Sequence, residues 1–257
     1  VSEHRSFSQL SSYKCPYRYY LERVEKVWQK PAAWLGMGTA VHYACEQWEL
    51  SERKAPDVVI KAWFQESYWE ATNKYLEETP NTAHWEASGP YKGPEDIARR
   101  FEVGQEHVIR YAEYYRKHRT ELPWVTPDGT PAIELPFDFE LGGVPIRGFI
   151  DAVINVDGEL IVRDTKSGRQ PGDDQQLKIY ALAIEAMGGP EIALGDYFMT
   201  RTGKPTFPYD LLQVTKEEMT NRFVQLDLSI KAGEFPPNPG DECARCSVKL
   251  SCEYRVG

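Results

Sequence analysis

GFIDAVINVDGELIVRDTKSG, residues 148–168, is the stretch on which the fold of this 257-residue chain turns. Residues 149–156 and 159–166 read as two strands joined by Asp157-Gly158. Asp-Gly between apolar, β-branched runs is a strong hairpin signal, because both loop positions of the favoured turn need positive φ. With those two residues as the loop, Val156 faces Glu159, and counting back sets Asp151 opposite Asp164. Side chains alternate along a strand, so Lys166 falls on the face of Asp164. Two carboxylates and an ammonium therefore converge at one end of the ribbon. Opposed like charges on a sheet repel, and two carboxylates sharing a site do not both ionise freely. A divalent cation that takes hard oxygen ligands, Mg²⁺ or Mn²⁺, would resolve the conflict. The plain alternative is a hairpin whose charges face water, with Lys166 neutralising one aspartate.

Outward from the hairpin, residues 132–141 alternate apolar and polar and read as a strand turned by Gly142-Gly143. Glu134 on that strand is only a marginal addition to the acids. On the other side, SGRQPGDD is a loop leading to a helix over 175–187, where Gln176 and Tyr180 are four apart and share a face. Residues 192–200 and 206–214 read as strands, and 215–232 as a helix capped by Thr215. Before the sheet, Ser8 caps a short first helix and Pro16 interrupts it after Cys15. Gly36-Met37-Gly38 leads into a helix over 39–50 carrying His42, Cys45 and Glu46, with the glycines packed closely against another element. Residues 57–78 and 94–119 read as two long helices forming an inserted helical subdomain. The loop between them exposes Trp85 and Tyr91 as candidate base-stacking residues, while the other aromatics there read as core.

No apolar run approaches the roughly 18 residues needed to cross a bilayer, and VSEHRSFSQLSSY has no apolar signal region. A cytoplasmic protein, in a host's cytoplasm if viral, with no membrane partner is expected. The net charge of −9 argues against a wholly basic nucleic-acid surface. A local groove drawn from Arg99, Arg100, Arg110, Arg116, Lys117 and Arg119 is compatible with it, although each reads individually as the solvated face of a helix. Of five cysteines, Cys243, Cys246 and Cys252 cluster near the end and Cys15 lies near the start. In an intracellular chain such clustering points to metal or cluster ligation rather than disulfides. Cys45 reads as a small buried residue.

The order is a helix with His42, strands ending near Asp151, Asp164-Thr165-Lys166 on the next strand, and a helix with Gln176 and Tyr180. This resembles the PD-(D/E)XK nuclease superfamily, in its RecB-like branch, through GTAVHYACE, GFIDAVI, RDTKSG and QLKIYAL. The resemblance implies an α/β restriction-endonuclease-like core, a mixed sheet flanked by helices, forming one nuclease domain over 1–257 with a helical insertion at 57–119. C-x2-C-x5-C with Cys15-Pro16 looks like the iron–sulfur staple of that branch, which includes CRISPR-associated adaptation exonucleases, AddB-type nuclease domains and phage relatives. It implies that Cys15, Cys243, Cys246 and Cys252 ligate a [4Fe–4S] cluster joining 236–257 to the N-terminal segment. A zinc site uses the same donors, and spacing alone does not separate the two.

The resemblance further implies that His42, Asp151, Asp164 and the Thr165 carbonyl hold Mg²⁺ or Mn²⁺, with Asp151, Asp164 and Lys166 catalytic and Gln176 and Tyr180 contacting substrate or orienting the site. The expected activity is a metal-dependent DNA exonuclease on single strands or free ends, in recombination, repair, replication or CRISPR adaptation. A helicase or an integrase is the class of partner implied. The competing readings are a non-catalytic nucleic-acid-binding module and a metal-stapled scaffold for protein partners.

Overall fold

Asp157 and Gly158 do adopt positive φ, 52° and 95°, and the turn they make sets the register of the sheet. The computed structural model describes residues 3–256. Strands β1 (Leu122–Pro123), β2 (Ile133–Leu141), β3 (Val144–Val156), β4 (Glu159–Lys166) and β5 (Leu194–Met199) enter one sheet, completed by β6 (Lys204–Pro205) and β7 (Tyr209–Asp210). β3 pairs antiparallel with β4 from Val156 opposite Glu159 to Ala152 opposite Arg163. β1 and β2 lie end to end along the other edge of β3, and β6 and β7 do the same along β5. β4 and β5 are parallel, which requires a crossover; α6 (Asp174–Ala186) supplies it.

Helices α1 (Phe7–Ser12), α2 (Pro16–Tyr19), α3 (Ala33–Leu50), α4 (Asp57–Glu78), α5 (Gly93–Lys117) and α7 (Lys216–Ala232) complete the chain. One core joins β2–β5 to α6 and α7 through Leu135, Ile150, Val162, Leu177, Phe223 and Leu226. The other joins α3, α4 and α5 through Trp48, Phe64, Tyr68, Tyr111 and Tyr115, with Phe198 of β5. α4 and α5 approach closely because Gly104 carries no side chain; a Cβ there would lie 2.2 Å from the Phe64 ring. Thr215 caps α7 in a reciprocal capping box with Glu218.

The differences from the sequence reading have local causes. Ser6, not Ser8, caps α1, its hydroxyl accepting from the Gln9 amide. α3 begins six residues earlier than expected, at Ala33, and contains both glycines. They serve as contact points: a Cβ on Gly36 would meet Thr72 of α4 at 3.1 Å, and one on Gly38 would meet Ser167, just past the hairpin, at 3.4 Å. The strand expected over 206–214 shrinks to β7 and a short 3₁₀ turn, Leu211–Gln213. No helix of the described residues is long and apolar enough to cross a membrane.

The cysteine-ligated cluster is a correction. Among the described residues, the side chains grouped closely enough to share a metal ion are His42, Glu134 and Asp151, and no cysteine belongs to the group. Cys15, Cys243, Cys246 and Cys252 take part in no disulfide, and none of them joins that imidazole-and-carboxylate group. Cys15 is the N-cap residue of α2, and the Cys243 sulfur accepts from the Gly240 amide. The chain ends are joined by other contacts. Tyr17 N bonds Pro236 O at 3.3 Å, Lys30 N bonds Ser247 O at 2.9 Å, and Asn238 reaches Lys14 O at 2.9 Å. Tyr19 stacks on Phe235, and Tyr17 meets Tyr254 edge-on.

Candidate active site

The acids meet where two strands change face. Ile133 and Leu135 are two apart on β2 yet lie in different core clusters, as do their partners Ala152 and Ile150 on β3. In an undisturbed strand residues two apart share a face. The switch falls on Glu134, held at φ 44°, a left-handed conformation uncommon for a residue with a Cβ and costing on the order of 1–3 kcal/mol. Asp151 sits at the matching position of β3. The crossover brings the carboxylates of Glu134 and Asp151 to one place, where α3 adds His42. Nδ1 of His42 lies 3.3 Å from Asp151 Oδ2, and the same oxygen accepts from the Thr165 amide at 2.9 Å.

Asp164 is organised differently. Its Oδ1 accepts from Gln176 Nε2 at 2.6 Å and from the Tyr180 hydroxyl at 3.1 Å. Its Oδ2 lies 2.8 Å from the Lys166 ammonium, but off hydrogen-bond geometry, so this buried oxygen has no hydrogen-bond donor. Gln176 Oε1 accepts from Lys166 at 3.1 Å, and its Nε2 also lies 2.9 Å from the Tyr180 hydroxyl. Tyr180 also stands 3.4 Å from Asp151 Oδ1. All five side chains expected to be catalytic, Asp151, Asp164, Lys166, Gln176 and Tyr180, are thus in one hydrogen-bonded network with His42 at its edge. The described metal group differs from the expected one: Glu134 takes part, while Asp164 and Thr165 stand beside it.

The electrostatics record crowded acids. Burial, with Asp151 next to it, pushes Asp164 up to about 6 even against the pull of Lys166. Burial, reinforced by Asp151, Glu46 and Asp164, pushes Glu134 up to about 8. Burial also raises Glu46, one turn from His42 on α3. Oxygen-rich donors with one imidazole, an orphaned carboxylate oxygen and carboxyls resisting ionisation together suit a divalent cation.

Behind the cleft lies a second set of buried charges. Arg163 makes two 2.7 Å bonds to Asp196 of β5, one of 2.8 Å to Glu121 and one of 3.0 Å to the Tyr115 hydroxyl. Arg53, over the Tyr115 ring at 3.9 Å, bonds Glu49 at 2.7 Å, and Glu49 accepts from Tyr111 at 3.0 Å. This network fastens the three-helix layer to the sheet.

Two other expectations change. Trp85 is 4% exposed and donates to Thr79 O, so it presents no stacking face; Tyr91 lies under the Arg99 guanidinium at 4.3 Å. The basic residues of α5 are largely paired: Arg99 and Arg100 with Asp96, Arg110 with Glu106, and Arg116 with Asp57.

Comparison with known proteins gives three results. Residues 4–253 match the family model of the PD-(D/E)XK nuclease superfamily. The Gene 69 protein of Mycobacterium phage D29 is 47% identical, with 96% of each chain aligned. That of Mycobacterium phage L5 is 42% identical over 96% of this chain and 95% of its own. Among solved structures, SSO0001 aligns with all of this chain and 89% of its own at a TM-score of 0.40 and 15% identity.

Proposed function

This chain belongs to the PD-(D/E)XK nuclease superfamily, and on that premise we propose that it is a divalent-metal-dependent deoxyribonuclease acting as an exonuclease on single-stranded DNA or free DNA ends. The observation that carries the reading is the meeting of His42, Glu134 and Asp151 beside the Asp164–Lys166 ion pair.

His42, Glu134 and Asp151, with the orphaned oxygen of Asp164 next to them, would hold the cation, which when bound supplies Lewis acidity toward a phosphate oxygen and makes water a better nucleophile. The protein's own groups do the rest. Lys166 holds an ammonium at the mouth of the acid cluster, where it orients the attacking water and offsets negative charge developing on the phosphorus oxygens. Gln176 sets both partners of the ion pair at once, its Nε2 on Asp164 and its Oε1 on Lys166. Tyr180 bridges the two aspartates and keeps them at fixed separation. Water adds to phosphorus, the bond to the 3′ oxygen breaks, and that oxygen takes a proton. The ends left are a 5′-phosphate and a 3′-hydroxyl.

The test is to incubate the protein with end-labelled single-stranded DNA in Mg²⁺ or Mn²⁺. Progressive shortening that EDTA stops is the expected result. A strand that is bound but left whole under either metal, or degradation indifferent to EDTA, would overturn the reading.

A further inference from the structure

The β2–β3 hairpin has one face in the core and one open to solvent. Leu135, Phe137, Ile146 and Ile150 point inward and are buried. The outward row carries Asp138 and Glu140 on β2 and Arg147 on β3, the polar pattern expected of a solvated face. Phe149 departs from it. It lies on the outward row, 60% exposed, opposite the exposed Pro136. Single exposed apolar residues are ordinary, so its position is what matters. Phe149 is two residues before Asp151, about 7 Å along an extended strand. Asp151 in turn lines the cleft that His42, Cys45 and Glu46 of α3 share with Ile133 and Glu134.

We propose that Phe149 is the stacking platform for the unpaired base adjacent to the scissile phosphate of a single DNA strand. This rests on the nuclease reading and deepens it. A phosphate held at Asp151 leaves its neighbouring base within reach of the Phe149 ring. Every base has a π-face, so such a platform grips a strand without reading its sequence, and base-paired interior positions of a duplex have no face to offer. Arg147, one step further along the same row, is paired with Asp138 at 2.7 Å. Exposed pairs of this kind are weak, so the guanidinium is free to exchange its partner for a backbone phosphate.

The experiment uses the whole chain and single-stranded oligonucleotides carrying 2-aminopurine at successive positions. In a Lys166→Met background, which blocks cleavage, one position should be strongly quenched. Adding Phe149→Ala should abolish that quenching and weaken binding roughly 5- to 100-fold, and Phe149→Trp should restore both. With Lys166 intact, Phe149→Ala should raise KM far more than it lowers kcat. Degradation of single strands by the wild type together with binding by Phe149→Ala that is unchanged, or an effect of Phe149→Ala on self-association alone, overturns this proposal and leaves the nuclease reading standing. A wild-type protein that neither binds nor degrades single strands overturns both.

Discussion

Replacing Lys166 by methionine is expected to lower strand cleavage on the order of 10²–10⁴-fold, the scale for removing one group that acts on the reacting atoms. The loss should lie in kcat, with little change in strand affinity, and the fold should survive. Lys166 is part-exposed, and its ammonium is the charge that holds Asp164 down. Without it the upward push of burial and of Asp151 on Asp164 is less opposed, so the carboxyl is more readily protonated and the cost of a bare buried charge is eased. Single-turnover cleavage rates beside a thermal unfolding curve check both halves. Undiminished cleavage would remove Lys166 from the chemistry, and a collapsed fold would show that its role is structural.

The second large effect is on stability. Arg163 is 2% exposed and is shared by Asp196, Glu121 and Tyr115. Arg163→Met would leave two buried acids facing each other without a cation. Breaking one side of a buried ion pair costs about 3–5 kcal/mol, or roughly 6–20 °C in Tm for a chain of this size. Urea or thermal unfolding measures it. Removing an acid as well, in Arg163→Met with Asp196→Leu, should recover much of the loss, since a well-packed apolar replacement of a buried pair is often near neutral. A single variant as stable as the wild type would mean the network is not what fastens the helices to the sheet.

Much of this architecture could be read before the fold was seen. Asp157-Gly158 dictates its own turn, and from it follow the register of β3 on β4 and the placing of Lys166 beside Asp164. The helical periods of α4, α5 and α6 emerge within a residue or two of their spacing patterns. Glu134 reads from the sequence as only a marginal addition to the acids, although the same counting applies to Gly142-Gly143: with Leu141 opposite Val144, Glu134 falls opposite Asp151. The alternation of Ile133, Leu135 and Phe137 hid it, because an unbroken period puts Glu134 on the solvent side. Only the positive φ at Glu134 turns the strand over. The Arg163 network was likewise hidden, since a charge inside a strand reads as exposed until its partners arrive from β5 and from the segment after α5. The cysteine spacing misled for a different reason: the described group able to share a metal ion is built from one imidazole and two carboxylates, not from thiols.

The central claim is that His42, Glu134 and Asp151 surround one cation. In the metal-free chain Glu134, held up to about 8, has a folded value above its unfolded one. Its contribution to stability is therefore present below about 4.5 and lost as pH rises through about 8. A cation must displace that proton, so binding should tighten as pH rises through the same range. The direct measurement is titration of the metal-free protein with Mn²⁺, following the free ion by electron paramagnetic resonance at several pH values. The wild type should take up Mn²⁺ with this pH dependence, and Asp151→Asn should bind about 10-fold or more weakly, the least expected for a lost carboxylate ligand when outer-sphere partners alone are worth 10- to 100-fold. Equal, pH-independent binding by both chains, or none by either, would contradict the account.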